Sequence, residues 1–223
     1  MLSFTACPDS SGKSRNAGKK LLLASAIVIF FNSMVLSQEG IREHDGFFLR
    51  MLYGFGYAEL VEKDVLGSDM TYSGEAGVLR FQIGGTVSEN LIFYGEFGGV
   101  MQFDPELEWM GQSVSTSDVT VSVFDFGGGL TYYLMPSNFY FSLSLHTSQA
   151  TIEAGGKSGE SEIGFGLNAM VGKEWWVGDQ WALGVSAYGY YSTMKDKGTI
   201  EGINYEFDIN NFSVGLLFSA TYN

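Results

Sequence analysis

Cysteine, proline, histidine and basic residues are all scarce in this 223-residue chain, and each scarcity excludes something. The one cysteine, Cys7, rules out an intramolecular disulfide framework. Only His44 and His146 are present, so a histidine-rich zinc site is excluded and no metal is expected. Three prolines beside 30 glycines and 15% aromatic residues suit short alternating strands better than a helical domain. Lys and Arg total 12 against 25 Asp and Glu, a formal charge of −13, which disfavours nucleic acid because phosphate contacts need a basic face. Beyond the N-terminal region no apolar run is long enough for a transmembrane helix, which needs roughly 18 residues or more.

What the chain has first is an export signal. Lys13, Arg15, Lys19 and Lys20 precede the apolar run Leu21 to Leu36, and Val35-Leu36-Ser37 offers a cleavage site. Asn32 and Ser33 interrupt that run, which favours a cleaved Sec-type signal over an anchor. Residues 1–37 are therefore expected to be removed, with 38–45 a short periplasmic segment leading a domain that ends at 223. Removal takes the four basic residues named and Asp9, leaving 8 bases against 24 acids and a net charge of −16. Cys7 lies ahead of the run and leaves with it, so lipidation by this route is not expected.

From Asp45 onward, eight segments alternate with period two. Phe47, Leu49, Met51, Tyr53, Phe55 and Tyr57 share one face, opposite Arg50, Gly54 and Gly56. Leu79, Phe81, Ile83 and Val87 oppose Arg80, Gln82, Gly84 and Thr86; Leu91, Phe93, Phe97, Met101 and Phe103 oppose Tyr94, Glu96, Gly98 and Gln102. Phe124, Phe126, Leu130 and Tyr132 face away from Asp125, Gly127, Gly129 and Tyr133, and Phe139, Phe141, Leu143 and Leu145 from Tyr140, Ser142, Ser144, His146 and Ser148. The last three segments repeat the pattern: Ile163 to Val171, with Glu174 on the small face; Trp181 to Tyr191; and Phe212 to Tyr222. Large residues gather on one face, small and charged ones on the other.

Ser88-Glu89-Asn90, Met135 to Asn138 and Val177 to Gln180 are tight links, whereas Glu59–Tyr72, Asp104–Asp118, Ala154–Glu160 and Thr193–Asn204 read as long polar loops. Short turns at one end and long loops at the other characterise transmembrane barrels. A soluble barrel showing this large-residue face would expose far more than the few hundred Å² of apolar patch usually tolerated. The expected fold is therefore all-β, an eight-stranded antiparallel up-and-down transmembrane barrel. Tyr132, Phe139, Trp175, Trp176, Trp181 and Tyr222 stand near the short turns and are expected to form an interfacial girdle.

This pattern resembles the small eight-stranded outer-membrane barrels, the OmpA transmembrane domain and OmpX-like group. The resemblance covers Asp45 to Asn223 and implies a monomeric barrel with a packed polar lumen in a Gram-negative-type outer membrane. It also implies insertion by the barrel-assembly machinery, which commonly recognises a C-terminal aromatic strand; here Asn223 follows Tyr222. Lipid and lipopolysaccharide are the expected surroundings, and an extracellular ligand is a possible loop partner.

Few residues invite a chemical reading. An eight-stranded interior is about wide enough for side chains alone, so Arg50 and Arg80 should pair with Glu96, Asp125 and Glu174 in a lumen network. His146-Thr147-Ser148 followed by Glu160 is similar to the His-x-Ser pair and Glu of outer-membrane lipid A deacylases, which implies Ser148 as nucleophile, His146 as base and Glu160 as orienting acid. Gln149 stands where that family usually has Asn, and the phasing turns both residues inward rather than to lipid. Asp64, Asp69, Asp104, Glu106 and Glu108 lack calcium-loop spacing and read as solvated acids. Gly127-Gly128-Gly129 has no following helix, so a phosphate loop is excluded and no cofactor is expected. Three functional readings stay open: a non-enzymatic envelope or surface-interaction barrel, which is preferred; a deacylase-like esterase; and a narrow channel or carrier of small apolar solutes.

Overall fold

Alternation of this kind satisfies every backbone group only when the last strand finds the first. In the computed structural model, which describes residues 44, 46–200 and 203–223 with the side chains of 198–204 excepted, it does so. The strands are β1 (Phe47–Val65), β2 (Ser68–Ser88), β3 (Leu91–Phe103), β4 (Glu106–Trp109), β5 (Gln112–Ser115), β6 (Val119–Leu134), β7 (Phe139–Ala154), β8 (Lys157–Glu160), β9 (Gly164–Trp176), β10 (Trp181–Ile200) and β11 (Ile203–Tyr222). The order β1-β2-β3-β6-β7-β9-β10-β11 returns antiparallel to β1, where Leu49 pairs with Tyr222 and Glu59 with Phe212. Eight strands form the ring, and β4, β5 and β8 are appendages. The expected signal and the 38–45 segment lie outside the described residues, apart from His44.

Side chains obey the expected phase. Phe47, Tyr53, Phe55, Phe93, Phe97, Phe126, Leu145, Phe165 and Phe218 are exposed on the outer wall, while Arg50, Arg80, Glu96, Asp125 and Glu174 are buried within. From Phe47 to Tyr57 the wall rises about 33 Å along the strand and about 25 Å along the axis at the usual tilt, the height of a transmembrane apolar band.

Two expectations are corrected. The stretches read as long loops are largely paired strand: β1 and β2 remain in register to Glu62 and Met70 and close near Leu66-Gly67, and β10 pairs with β11 out to Ile200 and Ile203. Residues 104–118 contain the β4–β5 hairpin, which docks on β2 through Met70–Ser73, and β8 folds back on β7. Their polar sequence concealed these extensions, whose outer parts are held by cross-strand pairing. The second correction is Trp176, which is 4% exposed and points inward, its ring centroid 5.1 Å from His44. Consecutive strand residues must face opposite ways, so Trp175 and Trp176 cannot both join a girdle. Tyr132, Phe139, Trp175, Trp181 and Tyr222 are on the outer wall; Trp181 meets Tyr222 edge-on at 5.3 Å, and the Lys173 ammonium lies 4.9 Å from the Phe139 centroid.

Candidate functional site

The lumen is the natural place to look for chemistry, because a small barrel converges its side chains there. It is layered. At the short-turn end His44 stacks on Tyr133 at 3.5 Å and shares a 2.7 Å hydrogen bond with Asn138, closing the barrel over Phe48 and Tyr140. At the opposite end Leu60, Val78, Val100, Val123, Ala150, Met194 and Ile209 form an aliphatic layer. Between them runs one polar network.

Its first half centres on Arg50, whose Nε lies 3.1 Å from Glu174 Oε1 and donates to Thr221 Oγ1 at 3.2 Å. Arg50 also donates to the Tyr133 hydroxyl and to Gln82 Oε1, and its guanidinium sits 4.2 Å from the Tyr140 ring centroid. Glu174 in turn accepts from Tyr133 at 2.9 Å and Thr221 at 2.7 Å. The second half centres on Arg80, which donates to Glu96 at 2.6 Å and grips Asp125 with both terminal nitrogens at 2.8 and 3.0 Å. Gln82 joins the halves by donating to Glu96 Oε2 at 2.7 Å, and Asn168 donates to Glu96 at 3.3 Å. Both arginines and all three carboxylates are 0 to 6% exposed.

The wall makes room for these groups with glycine. Gly98 pairs across from Arg80 and Asp125, and a Cβ there would lie 2.7 Å from the Arg80 side chain. Gly127 faces His146, and its Cβ would meet the imidazole at 2.8 Å; at Gly184 the collision is with Glu174, at 2.6 Å. The small-residue face is thus a set of sockets for its few large ions.

His146 points into this network, its Nδ1 2.6 Å from Asp125 Oδ1 and its Nε2 3.6 Å from Glu96. Ser148 is also buried but bonds the Tyr190 hydroxyl at 2.7 Å, while Glu160 lies exposed in β8. The structure does not bring Ser148, His146 and Glu160 together, and it places the first two inside the wall, away from its outer face. Glu96, Asp125 and His146 each present a ligand atom within 4.8 Å of the others, as a metal trio would. Arg80 already bonds both carboxylates, however, and a dication would have to displace it, so the trio is a part of the ion-pair cluster.

Beyond the aliphatic layer a cleft of about 250 Å³ opens among Glu62, Tyr72, Ile152, Glu160 and Asp196. Burial raises the Glu62 carboxyl above its ordinary value, with Asp196 adding to the effect, and burial likewise raises Asp196. The exposed hairpins behave oppositely: a hydrogen bond from Lys63 at 2.7 Å holds Asp69 low, and one from Lys195 holds Glu206 low. Neither Glu62 nor Asp196 stood out from sequence, because both fall in stretches whose strand pairing was not apparent; Glu160 was singled out only for the deacylase-like set.

No protein-family model and no curated protein matches the chain. Among solved structures the backbone is similar to the outer-membrane protein OprG of Pseudomonas aeruginosa, at 10% identity and TM-score 0.46 over 81% of this chain and 99% of that one. It is also similar to Neisserial surface protein A, at 16% identity and TM-score 0.45 over 80% and 98% of the two chains. A third similar structure is the outer-membrane protein AlkL in lipid bilayers, at 16% identity and TM-score 0.44, covering 82% and 92%.

Proposed function

We propose that this chain is an integral outer-membrane barrel with a closed lumen, serving as a scaffold that presents paired hairpins at the cell surface for envelope integrity or interaction with an extracellular ligand. The observation that carries this is the lumen itself: its described ions are buried and mutually paired, Ser148 is buried with them, and aromatic and aliphatic layers cap both ends. An apolar outer wall has one compatible solvent, lipid, and closure of β11 on β1 removes the edges that lipid could not satisfy. The hairpins carry what surface chemistry there is. Acids outnumber lysines there, and Lys63, Lys195 and Lys197 are engaged with Asp69, Glu206 and Glu162. Lipopolysaccharide as neighbour, the barrel-assembly machinery as inserter and a monomeric state belong to this proposal.

Reconstitution tests it. The purified chain should migrate heat-modifiably in detergent gels and add no conductance to a planar bilayer. Solubility without detergent would defeat the membrane reading, and stable single-channel steps would defeat the closed lumen. Fatty-acid release from lipopolysaccharide should be at background for both the intact chain and Ser148→Ala.

A further inference from the structure

The outer wall is not evenly covered. Gly77 on β2 and Gly99 on β3 both face outward, and they leave a groove of about 410 Å³ bordered by the rings of Tyr53, Phe81, Phe97, Phe103 and Phe124. A Cβ added at Gly77 would meet nothing within 4 Å, so the space is open to the surroundings. At Gly99 the Phe124 ring closes to 3.1 Å and walls one side. The floor is formed by Val78 and Val100, which otherwise belong to the aliphatic layer inside.

We infer that this groove is a binding site for one acyl chain of an outer-leaflet lipid, for which a phosphatidylcholine serves as the probe. Its lower end is the stacked pair Phe81 and Phe97, at 5.0 Å, midway along the membrane part of β3, and its upper end is Phe103, the last residue of that strand. Six residue steps span about 20 Å along the strand and about 15 Å along the axis. That is half of a hydrocarbon core about 30 Å thick, so the groove has the reach of a single leaflet's chain. No ionisable group other than the Tyr53 phenol lines it, and it is continuous with the lipid-facing wall. A second copy of the chain is a poorer occupant. Twelve lining residues fall short of the roughly 20 to 30 a side of a stable interface, and pairing two copies here would bring their Asp104 and Glu106 rims together.

The inference rests on the membrane reading above. Its test is native mass spectrometry of the barrel released from nanodiscs of dipalmitoylphosphatidylcholine, comparing the unaltered chain with Gly77→Phe and Gly95→Phe. Both substitutions add a ring to the outer wall where a Cβ has space, but only the first fills the groove. The unaltered chain and Gly95→Phe should retain one phosphatidylcholine per barrel. Gly77→Phe should retain it about tenfold less, the factor carried by losing roughly two buried methylene contacts. Equal retention by all three, or none by the unaltered chain, overturns the site. A two-barrel species lost only in Gly77→Phe would make the groove a contact between copies and also overturns it. Heat-modifiable migration, measured on the same samples, separates the outcomes: its absence from the unaltered chain defeats the membrane reading and the site with it.

Discussion

At the scale of single residues, the lumen ions are held by one another, and removing one strands the rest. Arg80→Ala leaves Glu96 and Asp125 facing each other without a cation in a buried layer, and a cost of about 3–5 kcal/mol in urea unfolding from lipid is expected. Lys63→Ala, which breaks only an exposed hairpin pair, should leave the unfolding midpoint where it was. The acids at the outer end divide by pH. Asp69 and Glu206, lowered by their lysines, contribute above the ordinary carboxylate range and lose that contribution as pH falls through their lowered values. Glu62 and Asp196, raised by burial, act with the opposite sign: the closed cleft gains as pH falls through their raised values. Carboxyl NMR titration should therefore find Asp69 and Glu206 below, and Glu62 and Asp196 above, their model-peptide values. Which ions share the lumen was legible from period-two phasing alone. Which partner each takes was not, because Arg80 meets Asp125 over Gly98 of the intervening β3, a register that alternation within a segment does not fix.

At the scale of elements, each ring strand carries its apolar outer wall on one face. Phe97 lies mid-span and Phe47 at the turn end, so Phe97→Arg should cost about 2–4 kcal/mol and Phe47→Arg about 0–1 kcal/mol, read as unfolding midpoints in the same lipid. A soluble barrel would show no such depth dependence. Truncation before Asn210 removes most of the β11 face that pairs with β1, and heat-modifiable migration should be lost. Replacing residues 105–117 with a short turn should leave that migration intact, since β4 and β5 stand outside the ring. The ring strands were readable because burial on one side imposes alternation. The hairpin extensions were less so: Leu60 and Met194 still close the lumen, but beyond them the described residues of β1 and β10 are mostly polar, and pairing without a continuous buried face leaves little periodic signature.

At the scale of the whole molecule, a closed transmembrane barrel stops water at the lumen and lipid at the wall. Ser144 and Leu145, adjacent on β7, test both boundaries: Ser144 is 1% exposed and points inward, Leu145 is 69% exposed and points out. The measurement is thiol labelling of Ser144→Cys and Leu145→Cys, in a Cys7→Ser background, in lipid vesicles, with one water-soluble and one lipid-dissolved maleimide. A closed transmembrane barrel predicts that Ser144→Cys reacts with neither reagent and that Leu145→Cys reacts only with the lipid-dissolved one. Rapid labelling of Ser144→Cys from water would show a wet channel, and labelling of Leu145→Cys from water would show that the outer wall does not face lipid.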